Sequence, residues 1–485
     1  MNINIQWIEI KGLRGFEKKG HIDLGIPNGN VGSGLTILLG PNNGGKSTII
    51  EALNAFSKPR PSSFSEGKRN KKARDCISIR INNSQNEIKE LRSVEKGGSE
   101  TTWKNQGLEP TSGEIFVLLS RRTFDPYFSK GSMDREQYTT SYELPTIRGR
   151  VGNTFSSRLF KIQEKKEDFD KIFQRVLTPL PKWTIDQSDA GKYYLKFNYT
   201  GQYHNSDGLG EGLLSLFFII DALYDSQPDN IIIVDEPELS LHPSLQKKLA
   251  NLFADYAKDR QIILATHSPH FINWQWILNG AKIIRVIRES KGITVYQLSS
   301  KIIKKIKGLI SNLNNPHILG LDAKSIFFLE DNVVLVEGQE DVVFYKLFED
   351  KLDIRLNGEF FGWGVGGAGN MSIISEMLDN LGFKKVAGIL DKNKKETRDR
   401  LKKKFPHYKF YIMPADDVRS KPETHAKDAV EGLVDREGNI KKKYKGEIID
   451  VFREINSYFQ ITKKKIGIKA IKANEAKPKA MASRD

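Results

Sequence analysis

Gly40-Pro41-Asn42-Asn43-Gly44-Gly45-Lys46-Ser47 is the stretch whose reading decides the fold. It satisfies G-x-x-x-x-G-K-[ST] at every position. The apolar run Thr36–Leu39 precedes it, and Ser47–Phe56 follows with apolar residues at helical spacing. Strand, glycine turn and helix together give the motif a chemical meaning. Gly40 and Gly45, with Asn43 between them, let backbone N–H groups close around phosphate oxygens, and the helix N-terminus favours negative charge. Lys46 is placed to neutralise β- and γ-phosphates. Ser47 is placed to hold Mg²⁺, and Thr48 completes the candidate set for ATP. The bland alternative is a glycine loop capping an ordinary helix.

Ile231–Val234 and Ile262–Ala265 are continuous apolar runs of the kind buried on both faces of a parallel sheet. A helix is expected between them over 243–257, and another over 213–224. The first run ends in Asp235-Glu236. An acidic pair at the exit of a buried strand is the usual partner of a phosphate loop: Asp235 to fix Mg²⁺, Glu236 to orient or deprotonate the attacking water. Alone, such a pair would often be a solvated turn.

With these features the sequence resembles the SMC-like branch of the ABC-type ATPases. Ser206-Asp-Gly-Leu-Gly-Glu-Gly212 precedes the helix at Leu213 as a signature loop does, although its wording departs from LSGGQ. The resemblance implies that Gly208 and Gly210 face nucleotide held by a second copy, so at least a homodimer is expected. It also implies that His267, after Gln261–Ala265, is a switch histidine sensing the γ-phosphate; a strand-end histidine is the alternative. Arg121-Arg122 stands where this branch carries its Q-loop, without the glutamine.

A second constellation begins at Val333-Val-Leu-Val-Glu337-Gly338-Gln-Glu-Asp341. It continues through Val365-Gly-Gly-Ala-Gly-Asn370 and ends at Val386–Leu390 followed by Asp391. Acids at the ends of neighbouring parallel strands would lie at one sheet edge, where ligands bind in open α/β sheets. Their hard oxygens suit Mg²⁺ or Mn²⁺. The order of these pieces resembles a Toprim domain. Joined to an SMC-like ATPase, it resembles the overcoming-lysogenization-defect (OLD) nucleases, over most of 1–60, 205–275 and 330–420. The resemblance implies that Glu337, Asp341 and Asp391 hold metal. Asn393 stands where a second acid is usual. A later acid (Asp416, Asp417 or Glu431) and a lysine (Lys421) are also implied.

The fold class expected is α/β: an ABC-type ATPase domain with a mixed sheet flanked by helices, plus a smaller Toprim α/β domain with a parallel sheet. The expected bounds are 1–285 for the ATPase, with a helical or dimerisation insertion within 125–205. A connector over 286–329, the Toprim domain over 330–420 and a basic region over 421–485 with a disordered tail follow. Residues 57–110 are polar and turn-rich, and 56–75 read as a mobile excursion. A hairpin is expected over 281–298.

The chain has 485 residues, 38% of them hydrophobic, enough for several cores. Its single cysteine, Cys76, excludes a disulfide framework and a cysteine-based zinc site. No apolar run is long enough to span a membrane, and the N-terminus carries no secretory pattern, so a soluble cytoplasmic protein is expected. The net charge is +16, and between Lys384 and Asp485 28 Lys and Arg face 15 Asp and Glu. That localised excess suits a phosphate backbone; a solvated lysine-rich surface is the alternative. The functional expectation is an ATP-gated, divalent-metal-dependent endonuclease acting on DNA. The resemblance implies anti-phage defence beside further defence-system components. An ATP-driven DNA-binding scaffold with a weak Toprim domain, and an RNA or tRNA nuclease, are the alternatives.

Overall fold

The computed structural model describes residues 4–460, apart from 58–60, 65–67, 74–75, 96–99, 106–114, 121, 123–126, 135–136, 138–154, 200, 206–209, 311–317, 329–331 and 423–428. The chain forms two compact units. The first comprises Met1–Asp331, Leu335–Gln339 and Phe360–Lys384; the second comprises Asn332–Val334, Glu340–Glu359 and Lys385–Asp485.

The first unit opens with β1 (Ile5–Lys11), β2 (Gly20–Asp23), β3 (Leu35–Leu39) and α1 (Lys46–Asn54). Next come β4 (Ser78–Asn83), β5 (Ile88–Ser93), β6 (Thr101–Asn105) and β7 (Ile115–Leu118). Helices α2 (Phe155–Gln163) and α3 (Lys166–Gln174) lead to β8 (Lys182–Gln187), β9 (Tyr193–Tyr199) and β10 (Gln202–Asn205). Then follow α4 (Glu211–Asp225), β11 (Ile231–Asp235), α5 (Pro243–Tyr256), β12 (Gln261–Ala265) and α6 (Trp274–Asn279). The hairpin β13 (Lys282–Glu289) and β14 (Gly292–Gln297) precedes α7 (Ser300–Ile310).

A six-stranded sheet of order β14-β13-β3-β12-β11-β7 organises this unit. Its ladders are parallel except for the β13–β14 hairpin. Side chains alternate between its faces, and both faces are covered. Ile232, Val234, Ile262 and Leu264 enter a core with α4 and α5, while Ile231, Ile233, Ile263 and Ala265 enter one with α1 and β1. Double burial is why these strands read as unbroken apolar runs. Each fully buried Ile or Leu side chain contributes roughly 1.5–3 kcal/mol.

The stretch 57–110 departs from expectation. Three of its segments, β4 to β6, extend an antiparallel sheet of order β2-β1-β4-β5-β6. Ile79, Ile81 and Leu91 point inward, but polar Asn82, Asn83 and Lys89 are buried beside them and dilute the apolar alternation. Gln261, fully buried, ties this sheet to β12. Its side-chain oxygen accepts from Ile5 N–H at 2.7 Å, and its amide donates to the carbonyls of Ile5 and Gly25, each at 2.8 Å. Within 125–205, α2 and α3 share the α4 core, and β8–β10 form a three-stranded antiparallel sheet.

The expected connector 286–329 is shorter than predicted. β13 pairs with β3 as far as Arg285 opposite Leu39 and continues through Val286, which pairs with Val295 of β14, and β14 closes the sheet edge. Helix α8 (Leu321–Ser325) follows.

The expected 330–420 domain is likewise divided. Residues 335–339 and 360–384 group with the first unit. Arg285 Nη1 donates to the Leu381 carbonyl at 3.1 Å, its guanidinium lies 3.8 Å from the Phe383 ring centre, and Lys305 pairs with Glu376 at 2.6 Å.

The second unit is built on a four-stranded sheet of order β16-β15-β17-β18. Its strands are β15 (Val333–Leu335), β16 (Glu359–Phe360), β17 (Val386–Leu390) and β18 (Lys409–Ile412), with β17 and β18 parallel. Helix α9 (Gln339–Leu352) follows β15 and α11 (Lys395–Lys404) lies between β17 and β18, while α10 (Ala368–Asn380), which precedes β17 in the chain, groups with the first unit. The short parallel pair β19 (Asp417–Arg419) and β20 (Gly432–Val434) and helix α12 (Lys445–Gln460) complete it. The expected disordered tail lies outside the described residues, and no helix among them is long and apolar enough to cross a membrane.

Candidate nucleotide site and the second acidic set

Three neighbouring parallel strands end together and carry the site. β12 pairs with β3 so that Ala265 faces Leu38, and with β11 so that Ala265 faces Asp235. The glycine loop leaves β3, the acidic pair leaves β11, and Thr266 and His267 leave β12.

The loop needs its glycines. Gly40 has φ of 134°, and a Cβ there would stand 2.1 Å from the Val286 carbonyl oxygen on β13. Gly45 caps α1 with φ of 120°, and Asn43 takes φ of 60°, a region asparagine tolerates. Ser47 is exposed and Thr48 buried at the start of α1, whose first turn carries no acid.

Lys46 is 6% exposed. Its ammonium donates to the carbonyls of Gly40 at 2.8 Å and Pro41 at 3.2 Å. Burial pulls it down to about 8, against the pull of Asp235, Glu236 and Glu238. Asp235, equally buried, is pushed up to about 6 by desolvation and by neighbouring Glu236, with Arg122 and Lys46 opposing. The site thus holds a buried cation and a buried anion at odds with their surroundings, a state that bound phosphate and a divalent cation would relieve.

Glu236 stands in left-handed backbone, φ 48°. Its N–H donates to Ala265 O at 2.7 Å, and its carbonyl accepts from Arg122 Nη2 at 2.8 Å. Arg122 also donates to the carbonyls of Asp235 and Leu119, each at 2.6 Å, and to Ser215 Oγ on α4 at 2.8 Å. His267 is half-buried; burial and the Lys46 charge push its imidazole below the ordinary range, against the pull of Glu236, and so favour the neutral ring. Gly210 caps α4, whereas Gly208 and Arg121 lie outside the described residues.

Two residues went unnoticed in the sequence. Glu238 accepts from Thr266 Oγ1 at 2.7 Å and from the His267 N–H at 2.6 Å. Gln246 accepts from Ser268 Oγ at 2.6 Å. A second acid two residues past Asp235-Glu236 was the available signal for Glu238.

The second acidic set is placed as follows. Glu337 lies just past β15, and its carbonyl accepts from Gly367 N–H at 2.7 Å. Asp341 is 9% exposed in the first turn of α9. Asp391 follows β17 directly and opens a short turn, with Lys394 N–H donating to its carbonyl at 3.0 Å. The Asn393 amide donates to the Asp416 carbonyl at 3.4 Å. Lys421 is paired with Asp417, which raises its ammonium. Glu431 accepts from Lys443 and from Tyr444 at 3.0 Å, and these bonds hold it down at about 2. Among the described residues no three His, Cys, Asp or Glu side chains form a group that could hold a metal ion.

A family model described as "AAA domain, putative AbiEii toxin, Type IV TA system" matches residues 147–273, the span containing Gly210, Asp235, Glu236 and His267. The Old nuclease of Escherichia phage P2 is 28% identical over 160 residues, 32% of this chain and 26% of that protein. The OLD nuclease of Thermus scotoductus is 30% identical over 263 residues, 44% of this chain and 48% of that protein. Over these stretches the chain is similar to the OLD nucleases. The Septu protein PtuA of Bacillus thuringiensis is similar too, 23% identical over 370 residues that cover 68% of this chain and 90% of that protein. The chain thus spans about a quarter of the phage OLD protein and about half of the Thermus one.

Proposed function

We propose that this chain is an ATP-hydrolysing, divalent-metal-dependent nuclease that cleaves DNA phosphodiesters in anti-phage defence. The meeting of Lys46, Asp235, Glu236 and His267 at the ends of β3, β11 and β12 carries the ATPase half of this reading. Kinship with the OLD nucleases supports the nuclease half.

In this reading Lys46 leaves the Gly40 and Pro41 carbonyls to engage the β- and γ-phosphates, while N–H groups of the loop from Gly40 through Asn43 to Gly45 surround them and Thr48 supports the turn. Ser47 and Asp235 are the oxygen donors for Mg²⁺, which would supply charge neutralisation at the phosphates. Glu236 orients the attacking water, and neutral His267 donates a hydrogen bond to the γ-phosphate. Gly208 and Gly210 face the nucleotide of a second copy, making the working unit a homodimer.

Glu337, Asp341 and Asp391 are the proposed metal-holding acids of the nuclease, with Asn393 and Lys421 as further candidates. The test uses purified protein with supercoiled plasmid and with RNA, with and without ATP, Mg²⁺ and Mn²⁺. Lys46→Ala should abolish hydrolysis. Glu337→Ala and Asp391→Ala should abolish cleavage and spare hydrolysis. A Glu337→Ala protein that cuts like the parent overturns the metal assignment.

A second reading, an ATP-gated DNA-binding scaffold, is favoured by the Asn393 amide being turned to the Asp416 carbonyl. Salt-sensitive plasmid binding without cleavage under every metal would establish it.

A further inference from the structure

We propose that Glu238 is a positioning residue of the ATPase site, setting His267 through its backbone, and is not a second catalytic base. The inference rests on the nucleotide-hydrolysis reading above.

Asp235-Glu236-Pro237-Glu238 supplies two glutamates within three positions, and either could serve an attacking water. Their surroundings separate them. Both Glu238 carboxylate oxygens are engaged: Oε2 accepts from Thr266 Oγ1 at 2.7 Å, and Oε1 from the His267 N–H at 2.6 Å. Burial raises this carboxyl and these hydrogen bonds pull it back toward the anion. A carboxylate held by two short donors is poorly placed to collect a proton from water.

The same two bonds fix the segment that carries His267. Thr266 is fully buried, and its hydroxyl in turn accepts from Ser268 N–H at 3.0 Å. Ser268 Oγ donates to Gln246 on α5 at 2.6 Å, and Gln246 donates to the Leu241 carbonyl at 2.8 Å. Residues on either side of His267 are therefore anchored to the segment following β11. The imidazole itself makes no hydrogen bond among the described residues, so its direction depends on this backbone clamp. Glu238 thereby joins the turn leaving β11 to the turn leaving β12.

The experiment is a double-mutant cycle on the full chain, read by steady-state ATP hydrolysis, nucleotide affinity and thermal melting. Glu238→Gln keeps the size of the side chain and should lower kcat ~10-fold or more, with nucleotide affinity changed less than ~3-fold. Thr266→Val, which removes the hydroxyl donor and keeps the shape, should lower kcat in the same direction. In a His267→Ala background, Glu238→Gln should cost less than ~2-fold, because the residue it sets is gone. Equal losses in both backgrounds overturn the proposal and leave Glu238 acting directly on water. Parental kcat in a folded Glu238→Gln protein overturns it also. A parent that hydrolyses no ATP overturns the proposed function, and this inference with it, and is told apart by that control.

Discussion

Arg122 Nη2 lies 2.8 Å from the main-chain oxygen of Glu236, a residue held in left-handed backbone at φ 48°. The same guanidinium reaches Ser215 on α4 at 2.8 Å. One buried side chain therefore fixes the turn that presents Glu236 and fastens it to the helix that Gly210 caps. A left-handed glutamate costs of order 1 kcal/mol or more and persists only where its surroundings over-determine it.

Arg122→Ala should therefore lower ATP hydrolysis at least ~10-fold while nucleotide affinity changes little, because three carbonyls and a hydroxyl lose their donors. Arg122→Lys should recover only part, since a point ammonium cannot replace the planar fork. Steady-state kinetics beside equilibrium nucleotide titration checks this.

Asp235→Asn should stabilise the nucleotide-free protein at pH 7, while abolishing Mg²⁺-dependent hydrolysis. The Asp235 carboxyl sits at about 6 against an ordinary 3.8, so the folded state binds more protons than the unfolded one between those values. Stability is lost as pH rises through that window, and the cost is fully present above about 6. The gain on substitution should therefore be small at pH 4 and reach an order of 1–3 kcal/mol above pH 6. Urea unfolding at several pH values measures it.

Lys46 titrates in the opposite sense. Its ammonium sits at about 8 rather than 10.5, so burying the charge costs stability below 8 and the cost is relieved as pH rises toward 10.5. Nucleotide affinity should move the other way, weakening above about pH 8 as the charge that meets phosphate is lost. A Kd measured from pH 7 to pH 9.5 that stayed constant would count against Lys46 as the phosphate cation.

Gly40→Ala should cost about 1–3 kcal/mol from backbone strain at φ 134°. It should also abolish nucleotide binding, because the new Cβ would stand 2.1 Å from a β13 carbonyl and the loop would have to move. Gly29→Ala, at a positive-φ glycine with open space around it, is the comparison that isolates the strain from the clash.

Arg158 joins α2 to α4 through Asp221, at 3.0 Å, and Asp225, with Arg158 and Asp221 almost completely buried. Arg158→Met should destabilise the first unit by about 3–5 kcal/mol, since it strands a buried carboxylate. The double substitution Arg158→Met with Asp221→Leu should restore much of that loss. Chemical denaturation of the three proteins tests the pairing.

The nucleotide half was legible because its chemistry is local in the chain. Loop, acidic pair and the two apolar strands are each contiguous, and a doubly covered parallel strand announces itself as an unbroken Ile-Val run. The antiparallel strands 78–105 escaped because one face is solvated and their alternation is broken by Asn and Lys. Arg122 and Glu238 were obscure for another reason: an isolated Arg or Glu acquires its meaning from carbonyls and N–H groups more than a hundred and almost thirty residues away, respectively. For the second acidic set, strand-end acids were visible, but whether three of them converge depends on side-chain directions that no spacing encodes.

By itself, the amino-acid order determined the α/β class, the phosphate loop between β3 and α1, and the acids that end β11 and follow β17, since these follow from periodicity, glycine freedom and charge over a few adjacent positions. Tertiary structure alone decided that Asp235 and Lys46 are held away from their ordinary titration, that the hairpin β13–β14 belongs to the six-stranded sheet, and that Glu238 holds the His267 backbone. Desolvation, strand neighbours and long-range hydrogen bonds exist only once distant segments share one interior.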